Sequence, residues 1–225
     1  MATTILICGK SGTGKTTAIR TLNPDETVIF KTINRTLPFK YVGIYSKENQ
    51  NLFNTPTYES ILKALSWANG QPNVKNVVIT DATYIIRQEF FKKAQTPGYA
   101  KFTEFAVHMQ QILKAIQDMR DDIKVFMEYH VENTVNDNGV TEYKPSTVGK
   151  LLDEKYNIME NVDIILFAIP EIEDKKINYG FFTNRSVDRN GVEVPAKSPM
   201  GMFDQIFIPN DLELVSAKID AYYNE

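Results

Sequence analysis

The sequence has few of the features that mark several large protein classes. It contains one cysteine, Cys8, in 225 residues, which excludes an intramolecular disulfide and a cysteine-cluster metal site. Its longest apolar runs, such as Ile164 to Ile169, are strand-sized and fall well short of the roughly 18 residues of a membrane-spanning helix. The sequence also shows no internal repeat and no low-complexity tract. These absences favour a globular protein with a reduced thiol.

An excess of charge of one sign is also missing. Lys and Arg total 25 and Asp and Glu total 28, which gives a net charge of −3. A near-neutral total provides no general attraction to nucleic acids or membranes, although it allows a local basic groove. No basic segment precedes the short apolar run at the amino terminus. We therefore expect no signal peptide, no membrane partner and a cytoplasmic location.

The composition that is present is that of an ordinary globular chain. Hydrophobic residues make up 43% and charged residues 24% of the sequence, and the length predicts a single domain over residues 1–225. Strand-like and helix-like segments alternate, which predicts a three-layer α/β fold. Because several strands are continuous apolar runs, we expect a mostly parallel sheet that is covered on both faces.

The individual segments can be placed along the chain. The predicted strands are Thr3 to Cys8, Thr27 to Lys31, Tyr41 to Tyr45, Asn76 to Thr80, Ile123 to Tyr129, Val162 to Ile169, Ile177 to Phe182 and Val192 to Val194. The predicted helices are Lys15 to Leu22, Thr55 to Asn69 with Thr55 as N-cap, Phe102 to Met119, and a last helix capped by Asn210. The turn-like residues Asp188 to Gly191 predict a late hairpin that joins the last two strands.

One motif directly indicates chemistry. The sequence Gly9-Lys10-Ser11-Gly12-Thr13-Gly14-Lys15-Thr16, followed by Thr17, matches the phosphate-binding pattern G-x-x-x-x-G-K-[ST] at every fixed position. Its glycines allow the backbone N–H groups to approach the phosphates of a nucleotide closely. Lys15 is expected to neutralise phosphate charge, and the hydroxyl of Thr16 to ligate Mg²⁺. The motif follows a predicted strand and opens a predicted helix, as this loop requires.

Two later strands end in polar residues that suit the same site. Asp81 directly follows an apolar strand, where a carboxylate commonly holds Mg²⁺, although it is also typical of a helix cap. Glu128 and His130 lie at the end of the next core strand. His130 is a candidate sensor of the terminal phosphate, and Glu128 or Glu132 could polarise water. The alternative is a satisfied histidine and two surface acids.

Other basic residues have less specific patterns. The predicted hairpin carries Arg185, Arg189 and Lys197, which could stabilise charge at the nucleotide of the same or a neighbouring subunit, or could simply be solvated. The segment from Tyr84 to Lys101 mixes aromatic and basic residues, which suits stacking on single-stranded bases but also an amphipathic helix. Residues Asn133 to Lys150 are polar and could form a ligand loop.

With these motifs, the chain resembles the RecA-like P-loop ATPases encoded by bacteriophages, which are often described as AAA-type NTP-binding proteins. Some members act in single-strand annealing or recombination. Besides the phosphate loop, the matching segments are Leu37-Pro38-Phe39, Asp81, Glu128-Tyr129-His130, Phe182 to Arg185 and Pro195 to Phe203. The resemblance implies a RecA-like core, ATP with Mg²⁺, self-assembly into a ring or filament, binding of single-stranded DNA, and the host cytoplasm as location.

Two positions depart from the patterns of this superfamily. Ala82 stands where AAA+ proteins usually have a glutamate after the aspartate, and Lys31 to Asn34 contain no acid. The base that activates water is therefore left open. Two other functions share the phosphate loop: a small-molecule or nucleotide kinase, for which Arg185 and Arg189 would resemble a lid, and a nucleotide-dependent assembly or loader module with little turnover.

Overall fold

The computed structural model describes residues 1–136, 138–148, 157–173 and 175–224. Its strands are β1 (Thr3–Cys8), β2 (Thr27–Lys31), β3 (Leu52–Asn54), β4 (Asn76–Thr80), β5 (Lys124–Tyr129), β6 (Val131–Val135), β7 (Thr141–Pro145), β8 (Ile164–Glu173), β9 (Lys176–Phe182), β10 (Ser186–Val187), β11 (Glu193–Val194) and β12 (Phe207–Pro209). Its α-helices are α1 (Tyr58–Asn69), α2 (Thr83–Lys92), α3 (Ala100–Gln117) and α4 (Leu212–Asn224). Short 3-10 helices span Thr16–Thr21 and Ile158–Asn161.

The main sheet confirms the predicted α/β class. Within the described residues it has eight strands in the order β12-β9-β8-β1-β5-β4-β2-β3. From β8 to β3 neighbouring strands run parallel, whereas β9 and β12 are antiparallel to their neighbours. Cys8 pairs with Tyr129, and Lys31 pairs with Thr80. The carboxyl ends of β1, β5, β4 and β2 therefore meet at one edge.

Helices cover both faces of this sheet. Its central strands carry apolar residues at successive positions, so both faces of the sheet are apolar. In β1, Leu6 and Cys8 pack on the side of α1, α2 and α3, whereas Ile5 and Ile7 pack on the side of the Thr16–Thr21 helix and α4. All of these strand residues are fully buried. The result is the predicted three-layer arrangement, with a core on each side of the sheet.

A second sheet lies after β5 in the chain. Its strands are ordered β10-β11-β7-β6 in the described residues. Tyr143 of β7 and Val194 of β11 are buried in the core that also contains α1 to α3. Asp188 anchors the β10–β11 turn, because its carboxylate accepts hydrogen bonds from the Val192 amide and the Tyr143 hydroxyl. The second sheet is thereby packed against the first.

Several predicted elements differ from the structure. Tyr41 to Tyr45 is a turn rather than a strand, and the sheet edge is formed by β3. Helix α1 begins after Thr57, not Thr55, because Thr57 and Ser60 form a reciprocal capping box. The predicted helix Lys15 to Leu22 is a 3-10 helix, since only a short, threonine-rich segment separates the loop from Asn23-Pro24.

The late hairpin also pairs differently from the prediction. Ile177 to Phe182 lies in β9, which pairs with β8 and β12, whereas Val192 to Val194 contributes to β11, which pairs with β10 and β7. Within the predicted ligand loop Asn133 to Lys150, residues 133–135 belong to β6 and 141–145 to β7, and residues 137, 149 and 150 lie outside the described residues. The first difference arises because both segments pair with strands outside the predicted hairpin, whereas β6 and β7 form a local hairpin with each other.

The predicted cap of the last helix is also wrong. The side chain of Asp211, not of Asn210, accepts a hydrogen bond from the amide of Leu214 at the start of α4. Asn210 points instead towards the phosphate loop. Among the helices of the described residues, none is both long enough and apolar enough to cross a membrane.

Candidate functional site

A cavity of about 400 Å³ opens where the central strands end. It is bounded by the phosphate loop after β1, by Asp81 after β4 and by the segment after β2. His130 and Tyr179 complete its wall. In parallel α/β sheets the carboxyl edge is the usual place for ligands, because loops from several strands converge there. The residues Ser11 to Thr17 of the motif thus line one concave site.

The backbone of the phosphate loop depends on its glycines. Gly12 and Gly14 have φ angles of +80° and +92°, which residues with a side chain rarely adopt. At Gly9 a Cβ atom would lie 2.6 Å from Oγ1 of Thr13 and 2.7 Å from the carbonyl oxygen of Ala168. Ser11, Thr13 and Thr17 line the cavity alongside these glycines. The loop therefore keeps its backbone open towards the cavity.

Lys15 is held inside the loop. Its ammonium donates hydrogen bonds to the carbonyl oxygens of Gly9 and Lys10, at 2.8 and 2.7 Å, and only 6% of the residue is exposed. Burial lowers its pKa, and the negative charges of Glu128 and Asp81 act in the opposite direction. The ammonium therefore lies among carbonyl and carboxylate oxygens, at the place where the motif puts the phosphates.

Glu128 is the main revision to the site predicted from sequence. It is 1% exposed, and its Oε2 accepts a 2.7 Å hydrogen bond from the hydroxyl of Thr16. Its Oε1 has no hydrogen-bond partner among the described residues. Burial raises the pKa of this carboxyl to about 7, although Thr16 and Lys15 counteract the shift. Glu128 is thus a buried acid in contact with the motif, rather than a surface acid.

Asp81 and His130 form a pair at the floor of the cavity. Nε2 of His130 lies 3.1 Å from Oδ1 of Asp81, and both side chains are about four-fifths buried. The hydrogen bond from His130 lowers the pKa of Asp81, and the charges of His130, Arg35 and Lys15 add to this effect. Asp81 has a φ of +52°, and the amide of His130 donates to the hydroxyl of Thr83. The pair is therefore held in place by backbone segments that follow β4 and β5.

The oxygen donors of this site fit a magnesium nucleotide. Mg²⁺ prefers hard oxygen ligands and usually combines one or two carboxylates with phosphate oxygens. The hydroxyl of Thr16 and the carboxylate of Asp81 supply such ligands, and the orphaned Oε1 of Glu128 marks a buried polar position that lacks a partner. Thr16 and Asp81 are accordingly the residues that would hold the ion.

The structure adds residues that sequence reasoning did not assign. Arg35, four residues after β2, lines the cavity together with the phosphate loop, and its position near a strand end is a usable signal. Tyr179 of β9 packs so near Gly14 that a Cβ there would lie 2.9 Å from its Cδ1. Asn210 donates to the carbonyl of Gly14 and accepts from Arg20. No local pattern could have placed Tyr179 or Asn210 here, because both contacts are distant in sequence.

Other predicted residues lie elsewhere in the same chain. Arg185 is highly exposed and pairs with Glu193 of β11. The backbone of Lys197 pairs with Ile165, and its ammonium interacts with Asp163, which precedes β8. Glu132 is exposed on β6. None of these three is among the residues that line the cavity within the described part of the chain.

The phosphate loop also touches the second sheet. The ammonium of Lys10 lies 5.2 Å from the ring centroid of Tyr143, in a cation–π contact. Tyr143 in turn donates its hydroxyl proton to Asp188 at 2.8 Å. Tyr143 thus contacts both Lys10 of the phosphate loop and Asp188 of the β10–β11 turn.

Comparisons with known proteins leave the function open. No protein-family model matches the chain, and no curated protein matches it. Among solved structures, it is similar to the KaiC-like protein PH0186 from the hyperthermophilic archaeon Pyrococcus horikoshii OT3. The two share 13% identity over 85% of this chain and 88% of that chain, with a TM-score of 0.46. A likeness of this size carries no argument about substrate, partner or assembly.

Proposed function

We propose that the protein is a Mg²⁺-dependent ATPase with a RecA-like core. The observation that supports this best is the convergence of Lys15, Thr16 and Asp81 in one cavity beside a complete phosphate-binding loop, with Glu128 hydrogen-bonded to Thr16 behind it. The loop supplies phosphate contacts, and the two carboxylates supply a metal ligand and a base. A kinase would share the loop and the metal ligands, so hydrolysis without an acceptor molecule is the discriminating activity.

Each residue has a distinct task in the proposed reaction. The loop amides from Lys10 to Thr17 and the ammonium of Lys15 bind phosphate oxygens. Thr16 and Asp81 hold Mg²⁺, which when bound neutralises phosphate charge. Glu128 orients Thr16 through their hydrogen bond and, once ionised, can accept a proton from water. His130 fixes the carboxylate of Asp81 and reports on the terminal phosphate through that contact.

The biological setting that we propose is phage DNA recombination or replication on single-stranded DNA. Its support is the sequence resemblance and the aromatic–basic segment Tyr84 to Lys101. In the structure Phe90 of this segment packs against the core, whereas Phe91 and Tyr99 are about three-quarters exposed. The exposed rings and nearby lysines would allow stacking and phosphate contact with single strands.

ATP hydrolysis measured with and without single-stranded DNA tests this proposal. We expect Mg²⁺-dependent release of phosphate that the DNA stimulates several-fold, together with a mass by light scattering that corresponds to a ring or filament. Transfer of phosphate only to an added small molecule, by a monomer or dimer that ignores DNA, would favour the kinase. Tight ATP binding with negligible turnover under both conditions would favour the assembly module.

We also propose that a neighbouring subunit completes the site with Arg185 or Lys197. Neither is among the described residues that line the cavity of their own chain, which leaves them free to act on a neighbouring one. A Lys15→Ala subunit, which retains these residues, is mixed with an Arg185→Ala or Lys197→Ala subunit, which retains the phosphate loop. Each is expected to be inactive alone and the mixture to recover hydrolysis. Wild-type activity in both Arg185→Ala and Lys197→Ala, or no recovery of hydrolysis on mixing, would contradict the proposal.

A further inference from the structure

The segment after β2 carries a cation into the nucleotide cavity. Lys31 at the end of β2 is in register with Thr80 of β4, so the next residues lie beside Asp81. Arg35 and Thr36 line the cavity together with the phosphate loop, and Arg35 is exposed. Its charge is close enough to contribute to the lowered pKa of Asp81, after the hydrogen bond from His130. Arg35 therefore belongs to the same site as Lys15.

Hydrogen bonds hold this segment against the floor of the cavity. The hydroxyl of Thr32, which is 1% exposed, donates to the carbonyls of Thr80 and Asp81, at 3.0 and 2.8 Å. Gln88 of α2 donates to the carbonyl of Thr32 at 2.9 Å, and the ammonium of Lys31 donates to the carbonyl of Arg35 at 2.9 Å. The backbone that carries Arg35 is thus built into the site, in contrast to a free surface loop.

The guanidinium itself is placed by an aromatic ring. It lies 5.9 Å from the ring centroid of Tyr84, the second residue of α2. The same ring has Arg87 at 5.2 Å, and Arg87 donates to the hydroxyl of Ser146 at 2.7 Å. Arg35 makes no ion pair with a carboxylate among the described residues, whereas Arg185 pairs with Glu193. Its donors are available for an anion in the cavity.

We propose that Arg35 contacts the terminal phosphate of a bound nucleoside triphosphate from within the same subunit. This rests on the proposed ATPase function and adds a catalytic residue to it. During hydrolysis the oxygen of water bonds to the γ-phosphorus while the bond to the bridging oxygen of ADP breaks. Arg35 donates hydrogen bonds to the phosphoryl oxygens and transfers no proton; the water proton leaves to a base. Tyr84 is a positioning residue that holds the guanidinium in the cavity.

A binding measurement separates a contact with the terminal phosphate from a general effect on the site. The affinities for ADP and for AMP-PNP are compared by calorimetry with Mg²⁺ present. One charge-assisted contact corresponds to a preference on the order of tenfold or more. Arg35→Ala is expected to lose about that factor in affinity for AMP-PNP and little for ADP, with partial recovery in Arg35→Lys. Arg87→Ala is the matched control, because it removes a guanidinium from the same ring but outside the cavity.

Hydrolysis rates provide the second readout. We expect kcat to fall on the order of 10³-fold in Arg35→Ala, as for other arginines at a transferred phosphoryl group. Tyr84→Leu should reduce kcat without weakening ADP binding, and Tyr84→Phe, which keeps the ring, should restore it. Because Arg35 acts within its own subunit, mixing Arg35→Ala with Lys15→Ala subunits should recover nothing. Recovery in that mixture, or unchanged AMP-PNP affinity in Arg35→Ala, would overturn the proposal.

The outcomes also distinguish this proposal from the ATPase function on which it rests. If the wild-type protein hydrolyses ATP and Lys15→Ala does not, while Arg35→Ala matches the wild type in both readouts, only the role of Arg35 is refuted. If the wild-type protein binds neither ADP nor AMP-PNP with Mg²⁺, the ATPase function and the role of Arg35 fall together.

Discussion

Replacement of Lys15 by alanine is expected to abolish detectable ATP hydrolysis. The substitution removes the ammonium that lies at the centre of the phosphate loop, 2.8 Å from the carbonyl of Gly9 and 2.7 Å from that of Lys10. Each charge-assisted hydrogen bond to a phosphate contributes about 1.5–3 kcal/mol, so the loss of two weakens ATP binding by at least about 100-fold. Calorimetric titration with ATP and a phosphate-release assay measure the two effects.

Controls distinguish a lost phosphate contact from a misfolded loop. Lys63→Ala removes an exposed lysine from α1, far along the chain from the loop, and should leave both measurements unchanged. The unfolding free energy of Lys15→Ala without nucleotide should fall by only about 1–3 kcal/mol, because the carbonyls of Gly9 and Lys10 can turn to water. ATP binding and hydrolysis at wild-type levels in Lys15→Ala would refute the assignment of the nucleotide site.

The sequence predicts the parts of the fold that burial alone determines. The predicted bounds of β1, β2, β4 and β5 agree with the structure to within one residue. Each of these strands is an apolar run that only a sheet covered on both faces accommodates. The predicted pairing of β9 with the segment that contains β11 is wrong. β9 pairs with β8 and β12, and β11 pairs with β10 and β7. The prediction failed because the turn residues Asp188 to Gly191 indicate a hairpin without specifying which strand precedes it.

The same distinction applies to the site. The phosphate loop was recognisable because its chemistry requires particular residues at fixed spacing within one short segment. The sequence does not predict the burial of Glu128, since a single acid near the end of an apolar strand gives no local sign of its environment. Its role becomes visible only when the fold brings it to Thr16, 112 residues earlier in the chain. Arg35 and Tyr179 enter the cavity for the same reason.

The substitution Glu128→Gln is expected to have opposite effects on stability and activity. Gln keeps the shape of the side chain and an oxygen that can accept the hydrogen bond from the hydroxyl of Thr16, but it cannot ionise. As a general base contributes about 10²–10⁴ to a rate, we expect kcat to fall by that factor while the affinity for ATP is retained. An equal loss of affinity and rate would indicate that the charge of Glu128 serves binding instead.

The pH dependence of stability provides an independent test of the same residue. Burial raises the pKa of Glu128 from 4.5 to about 7, so between these values the folded state binds a proton that the unfolded state has released. Stability is therefore highest below the unfolded pKa and is lost as pH rises through about 7. The full shift corresponds to a loss on the order of 3 kcal/mol. Glu128→Gln lacks this titration and should be more stable than the wild type at pH 8.

Urea unfolding of the nucleotide-free protein at pH 5 and pH 8 measures this difference. The wild-type protein should lose stability relative to Glu128→Gln between the two values, because only the wild type must keep a buried carboxylate ionised at the higher pH. Glu132→Gln is the matched control, since the same change at an exposed position of β6 should leave the pH profile of the wild type unaltered. If the stability difference between the wild type and Glu128→Gln does not vary with pH, the pKa of Glu128 is not raised by folding. That result would contradict the proposal that Glu128 is a buried base beside Thr16.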